Sequence, residues 1–302
     1  MADALKNGCM ARWLRLTEVV AHITFHGILA TDAFNVEALV RPSSSQKPEV
    51  EALRQLGIPI RLADAAGSFD DLVDALTGVD IFISAIGATD QLEQLKLADA
   101  VKAAKVKRFI PCGFSAVGPV GNVMSLRDKK EEVYNHIKRL RVPFTISAPR
   151  IPSGKLDAAC TRGGDAPNII TDLWDIGVLV AQIIQDDRTL NQYVVTIDEV
   201  LSQNEINATV EQVTGERRLK KAREISAADP RDTKKQLEVI AIEYIHSKYV
   251  RGDNSPAYAK YLGYLDSREL YPGVKTRSFR DYVADALGGK EGKLYRHRPS
   301  SE

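Results

Sequence analysis

The feature that most constrains this chain is a repeated alternation. From residue 35 to residue 215, short apolar runs of strand type are followed by segments of helical period. "NVEALVR" (35–41) alternates as a strand. "KPEVEALRQLG" (47–57) sets Val50, Leu53 and Leu56 at helical spacing and stops at Gly57. "IPIRLAD" (58–64) is a strand entered through Pro59. "SFDDLVDALTGVD" (68–80) opens on Ser68, which can cap free N–H groups, and carries a stripe of Phe69, Leu72, Val73 and Leu76. "VDIFISAIGA" (79–88) and "VKRFIPCGFS" (106–115) are nearly continuous apolar runs, as expected of strands buried on both faces. The helical "LEQLKLADAVKAAK" (92–105) lies between them. Helices at 125–141, 171–187 and 202–215 alternate with strands at 142–147 and 191–197; Thr171 or Asp172 caps the second helix, and Ser202 with Glu205 forms a capping box on the third. Six or seven such alternations predict βαβ units and a doubly wound, mostly parallel α/β sheet of Rossmann-like type.

Beyond residue 215 the pattern changes. Helical segments at 233–250 and 255–265 follow one another with no strand between them. They predict a smaller, mainly helical lobe over the carboxyl ends of the strands, the edge where open α/β sheets bind ligands. The "GGKEGKLYRHRPSSE" tail is polar and glycine-rich.

The totals exclude several classes. With 41 basic and 40 acidic side chains the net charge is +1, so there is no electrostatic case for binding nucleic acid or an anionic membrane. No apolar run approaches the ~20 residues of a membrane span. Three cysteines, Cys9, Cys112 and Cys160, are too sparse for a disulfide framework and fit a reducing compartment. The N-terminus has no secretory apolar stretch, and its acidic Asp3 and Glu18 and lack of serine fit a mitochondrial leader poorly; the cytoplasm is the expected location. The five histidines show no metal-ligand spacing, so no metal is expected.

Four stretches could carry chemistry. Arg41 ends the strand at 35–41, where a dinucleotide-binding fold often meets the 2′-phosphate of NADP; alone it reads equally as a solvated strand end. A pyrophosphate site would need a glycine-rich turn upstream. The first 56 residues hold only Gly8 and Gly27, nineteen apart, and no clear apolar strand precedes Gly8. "LTEVVAHITFHGIL" reads as an amphipathic helix. Gly87, in "SAIGATDQLEQ" (84–94), ends a strand and opens a polar loop that can lie against a dinucleotide. "PCGFSAVG" (111–118) leaves the next buried strand, and its Phe114 is either a core aromatic or a wall for a nicotinamide; Cys112 reads as a packed thiol. Finally, "RDKKEEVYNHIKRL" carries two lysines. Its core stripe is Val133, Ile137 and Leu140, and at ~100° per residue Lys129 and Lys130 both fall within about 60° of it, on opposite sides. Periodicity favours a solvated charge run, yet leaves open that one lysine is desolvated and acts as a general acid.

"NVEALVR", "DALTGVDIFISAIG", "AAKVKRFIPCGFS", "KKEEVYNHIKRLRVPFT", "TDLWDIG", "LSQNEI" and "LYPGVKTRSFRDYV" resemble, in that order, the NmrA-like and isoflavone reductase-like family, with fungal members of secondary-metabolite pathways nearest. The likeness spans residues 34 to about 290. It implies an atypical short-chain dehydrogenase fold with strand order 3-2-1-4-5-6, and a dinucleotide-binding domain over 1–150. A smaller substrate lobe would cover 151–302, with 171–200 packing back on the sheet. It further implies NADPH as cofactor and a small metabolite as substrate. The family's catalytic lysine lies thirteen residues before the proline of its (I/V)-P-(F/Y)-T strand; here that proline is Pro143, so the matching residue is Lys130. Arg41 matches the arginine that favours the 2′-phosphate, and Phe114 and Ser115 match the turn beside the nicotinamide. The chain departs from the pattern twice: the opening strand with G-x-x-G-x-x-G is not found, and "FTIS" runs directly into "APRIPSGKLD" without the family's longer apolar and aromatic segment. These departures leave a second reading beside the reductase, a non-catalytic NmrA-like regulator that senses dinucleotide and binds a partner protein.

Overall fold

The computed structural model describes residues 10–14, 27–29, 31, 33–113, 115–148, 164–215 and 233–288. Five parallel strands form the main sheet: β1 (Met10–Leu14), β2 (Asn35–Val40), β3 (Ile60–Leu62), β4 (Ile81–Ser84) and β5 (Arg108–Ile110), in the order β3-β2-β1-β4-β5. The sheet continues through a parallel bridge between Phe109 and Phe144, with Phe109 N–H donating to Pro143 O at 2.8 Å. It leads to β6 (Thr145–Ala148), which is parallel to β8 (Gln192–Val195).

The central strand corrects the sequence reading. No strand was expected ahead of residue 35, yet Met10–Leu14 pairs with β2 on one side and β4 on the other, Trp13 opposite both Ala38 and Ile83. A strand buried between two neighbours normally reads as an unbroken apolar run. Arg12 interrupts "MARWL", and that hid it. The backbone edges of β2 and β4 need a hydrogen-bonding partner whatever side chains that partner carries. Of the amphipathic helix read over "LTEVVAHITFHGIL", residues 27–29 are helical; most of the rest lies outside the described residues.

Strand periodicity sorts the core into two faces. Val36, Ala38 and Val40 of β2 and Ile81 and Ile83 of β4 point one way, while Leu39 and Phe82 point the other. On the second face lie α2 (Phe69–Leu76), α3 (Glu93–Ala103) and α4 (Ser125–Leu140), with Phe82 stacked on Phe109 at 5.5 Å. The first face is covered by α1 (Pro48–Gln55), by Ile28 and by α5 (Leu173–Ile183). Each large apolar side chain fully buried in this way contributes about 1.5–3 kcal/mol. Helices on both faces make the fold doubly wound α/β. The caps fall where expected: the Ser68 hydroxyl accepts from Asp71 N–H, and Asp172 caps α5 through Trp174 N–H.

One contact on the first face is unusually close. A Cβ placed on Gly27 would lie 2.3 Å from the backbone carbonyl carbon of Gly177, so the turn at residues 27–29 meets α5 backbone to backbone.

A second, antiparallel pair joins β7 (Ile169–Ile170) to β9 (Glu199–Val200); α6 (Gln203–Thr214), with its Ser202–Glu205 capping box, and α10 (Phe279–Leu287) pack against it. The C-terminal part is less purely helical than expected. After α7 (Thr233–Ile245), its π-helical continuation (His246–Arg251) and α8 (Pro256–Tyr261), the chain adds β10 (Leu265–Asp266), parallel to β8; α9 (Ser267–Leu270) follows. Two residues are too few to show a period, which is why this strand went unread. Among the described residues no helix is long and apolar enough to cross a membrane.

The amino end of α5 is held by a carboxylate cluster. Asp172 N–H donates to Asp198 Oδ2 at 2.6 Å, Arg277 N–H donates to Asp175 Oδ2 at 2.7 Å, and the Arg277 guanidinium pairs with Asp172. Burial, then repulsion from Asp175 and Asp172, pushes the Asp198 carboxyl up to about 8. The folded state therefore binds a proton that an unfolded chain releases near pH 4. The stability this gives is complete below pH ~4 and is lost as pH rises through about 8. Asp198→Asn will flatten the fall in melting temperature between pH 5 and 8 and raise it at pH 8. An unchanged slope in the variant would show that the proton sits elsewhere.

Candidate active site

The candidate residues gather at the carboxyl edge of the parallel sheet. Arg41 follows β2, Gly87 follows β4, and Cys112 and Ser115 follow β5. Phe114 lies outside the described residues. Lys130 projects from α4 to the same edge and is 1% exposed, which overturns the reading of the lysine pair as a solvated run. Its Nζ donates to Cys112 O at 2.7 Å. Lys129, on the other side of the apolar stripe, stays half-buried. Val133 and Ile137 are fully buried, and that stripe draws Lys130 inward with it.

The electrostatics follow from this burial. Desolvation lowers the pKa of the Lys130 ammonium below the ordinary lysine value; the Arg127 charge one turn away lowers it further, and Cys112 opposes them. Tyr134, on the next turn of α4, is pushed well above its usual value, chiefly by burial. Tyr193 stands edge-on to Tyr134 and Phe144 and leans on Tyr264 at 5.2 Å, an aromatic cluster whose Tyr134 and Tyr264 flank Arg127.

Two residues that the sequence reading passed over hold this edge together. Gln91 is 1% exposed, and its amide N–H groups donate to Ile86 O and Gly87 O. Gln94, fully buried, accepts Cys112 N–H on its Oε1 at 2.7 Å and donates to the Gln91 side chain. The loop after β4 is thus tied to the loop after β5, and Cys112 O is fixed where Lys130 meets it. The signal was present: Gln94 stands on the same helical stripe as Leu97, Ala98 and Val101, where an apolar residue would be expected. Cys112 is, as expected, a packed thiol, 5% exposed, donating to Ile86 O. Ser115 is buried, with its hydroxyl directed to Ala116 O at 3.4 Å.

Arg41 is half-buried. Its Nε is buried and has no hydrogen-bond partner among the described residues, so the β2 edge presents an unused cationic donor. No glycine lies between Leu14 and Gly27.

An NmrA-like family model matches residues 21–151. Asnovolin J 5′,6′-dehydrogenase of Aspergillus novofumigatus is 36% identical over 301 aligned positions, which cover 87% of this chain and 91% of that one. The chain belongs to the NmrA-like, isoflavone reductase-like family. By that membership it is an oxidoreductase. Isoflavone reductase homolog P3 of Arabidopsis thaliana is 27% identical, over 82% of this chain and 88% of its own. In fold, the leucoanthocyanidin reductase–NADPH complex from Vitis vinifera superposes with a TM-score of 0.78 at 19% identity, covering 92% of this chain and 99% of that one.

Proposed function

We propose that this chain is an NADPH-dependent reductase of a small, cyclic or conjugated metabolite in a fungal secondary-metabolite pathway. The observation that carries it is Lys130: a lysine held at 1% exposure at the ligand edge of the sheet, its ammonium fixed on Cys112 O. A desolvated ammonium of lowered pKa is suited to give up a proton at neutral pH. When bound, the nicotinamide supplies the hydride. The part of the protein is to orient the substrate at the carboxyl edge of the sheet and to protonate the oxyanion or enolate from Lys130 Nζ. Gln91 and Gln94 keep that ammonium in register.

The residues present fit the phosphate end of the cofactor. Arg41 offers a buried donor without a partner among the described residues, as an arginine awaiting a 2′-phosphate would, and Gly87 and Ser115 follow the ends of β4 and β5. Arg41→Gln will weaken NADPH binding by about 10–100-fold, the loss expected for one charge-assisted hydrogen bond, and will leave NADH binding nearly unchanged. Nicotinamide fluorescence reads both titrations. Equal losses for the two cofactors would remove Arg41 from the 2′-phosphate. If NADPH gives no fluorescence shift with the wild-type chain at roughly millimolar concentration, the reductase reading fails.

The regulator reading is kept alive by the glycine-free stretch between Leu14 and Gly27. It requires that a Lys130 variant keep its partner binding and have no turnover to lose.

A further inference from the structure

We propose that Arg127 is a specificity residue: together with Lys130 it receives an anionic oxygen of the substrate, either a carboxylate or the enolate of a 1,3-dicarbonyl compound. The inference rests on the reductase reading and names the substrate class for the same site.

Arg127 lies one turn before Lys130 on the same face of α4 and is 8% exposed. Its Nη2 pairs with Glu131 at 2.8 Å, while Nη1 is buried with no hydrogen-bond partner among the described residues. The guanidinium lies 5.5 Å from the centre of the Tyr134 ring, which fixes its plane, and it also engages the Tyr264 hydroxyl, which leaves Nη1 as its unsatisfied nitrogen. Lys130 carries three N–H donors, and Cys112 O takes one; among the described residues the other two have no acceptor.

The charges do not balance. Two buried cations stand one turn apart, and the carboxylate that pairs with Arg127, Glu131, is only half-buried and is shared with Lys138 at 3.6 Å. Like charges at this spacing repel, and a buried donor without an acceptor is unfavourable. A neutral carbonyl would satisfy the donor and leave the excess charge. An anionic oxygen satisfies both, and an arginine with a lysine beside it is the pairing that recognises one. The place is the carboxyl end of β5, where this fold class takes its ligands.

The test is calorimetric titration of the full chain at pH 7 with naphthalene-2-carboxylate, with 2-acetylcyclohexane-1,3-dione, which is anionic at that pH, and with the neutral methyl ester of the first. At least one anion should bind with a Kd of about 1 mM or tighter, and the ester should bind at least about tenfold more weakly. Whichever anion binds tells carboxylate from enolate. Arg127→Met should weaken that anion by about 10–100-fold, and Arg127→Lys by about tenfold, because the charge remains while the fork is lost. A thermal melt confirms that each variant is folded, and the ester comparison stands on the wild type alone if one is not. The proposal is overturned if neither anion binds the wild type at roughly 10 mM, if ester and acid bind alike, or if a folded Arg127→Met binds as the wild type does. NADPH titration is run in parallel. Its failure on the wild type would remove the reductase reading, whereas the anion titrations report on Arg127 separately.

Discussion

Lys130→Met will lower turnover by a factor on the order of 10²–10⁴, the range lost when a positioned general acid is removed. The same variant will hold its melting temperature or raise it. Lys130 is 1% exposed, and methionine fills much of its volume without a charge to desolvate. Replacing a buried ion by an apolar side chain of similar size is often neutral or stabilising. Chemistry and folding therefore part company in a single substitution, and NADPH binding remains as a positive control. Turnover within about threefold of wild type, a difference under 1 kcal/mol in barrier, would take Lys130 out of the reaction. A wild type with no turnover on any reducible metabolite, beside intact dinucleotide binding, would favour the regulator.

Gly27→Ala will destabilise the protein by about 3 kcal/mol, at the upper end of what overpacking costs. For a protein of this size that is a fall in melting temperature of roughly 5 °C. The sign is the informative part. Within an ordinary exposed helix, glycine to alanine stabilises by up to ~1 kcal/mol. Here the added carbon would lie 2.3 Å from Gly177 C and 2.4 Å from Gly177 Cα, and both atoms are backbone. No rotamer change can relieve that overlap; the turn or α5 must move. Scanning calorimetry of the wild type and the variant reads the effect, and an unchanged or raised melting temperature would mean that the two backbones are not in contact.

Much of the fold could be read because burial imposes periods. β2 and β4 alternate their side chains between the two faces, and α2 and α4 carry stripes that match those faces. What escaped did so for identifiable reasons. β1 has a charged residue in the middle of its five-residue run, and its identity as a strand comes from the edges on either side, which are distant in sequence. β10 is too short to carry a pattern. At the candidate site, periodicity put Lys129 and Lys130 both within about 60° of the stripe, on opposite sides; the family spacing to Pro143 points to Lys130, and Lys130 is the more deeply buried of the two. Arg127 hid in "RDKK", since a charge run reads as solvated until its neighbours are known. Gln94 could have been found, because an amide on an otherwise apolar stripe is out of place unless something buried needs it, and here that is Cys112 N–H.

The Gly27–Gly177 contact joins two parts of the chain that are distant in sequence. A helix in such a fold is usually thought of as aimed by the turn that feeds it. Here the turn at residues 27–29 is seated from the far side, by a helix nearly 150 residues away in sequence. The contact closes only when both partners are in place, so residues 27–29 and α5, far apart along the chain, are seated together or not at all.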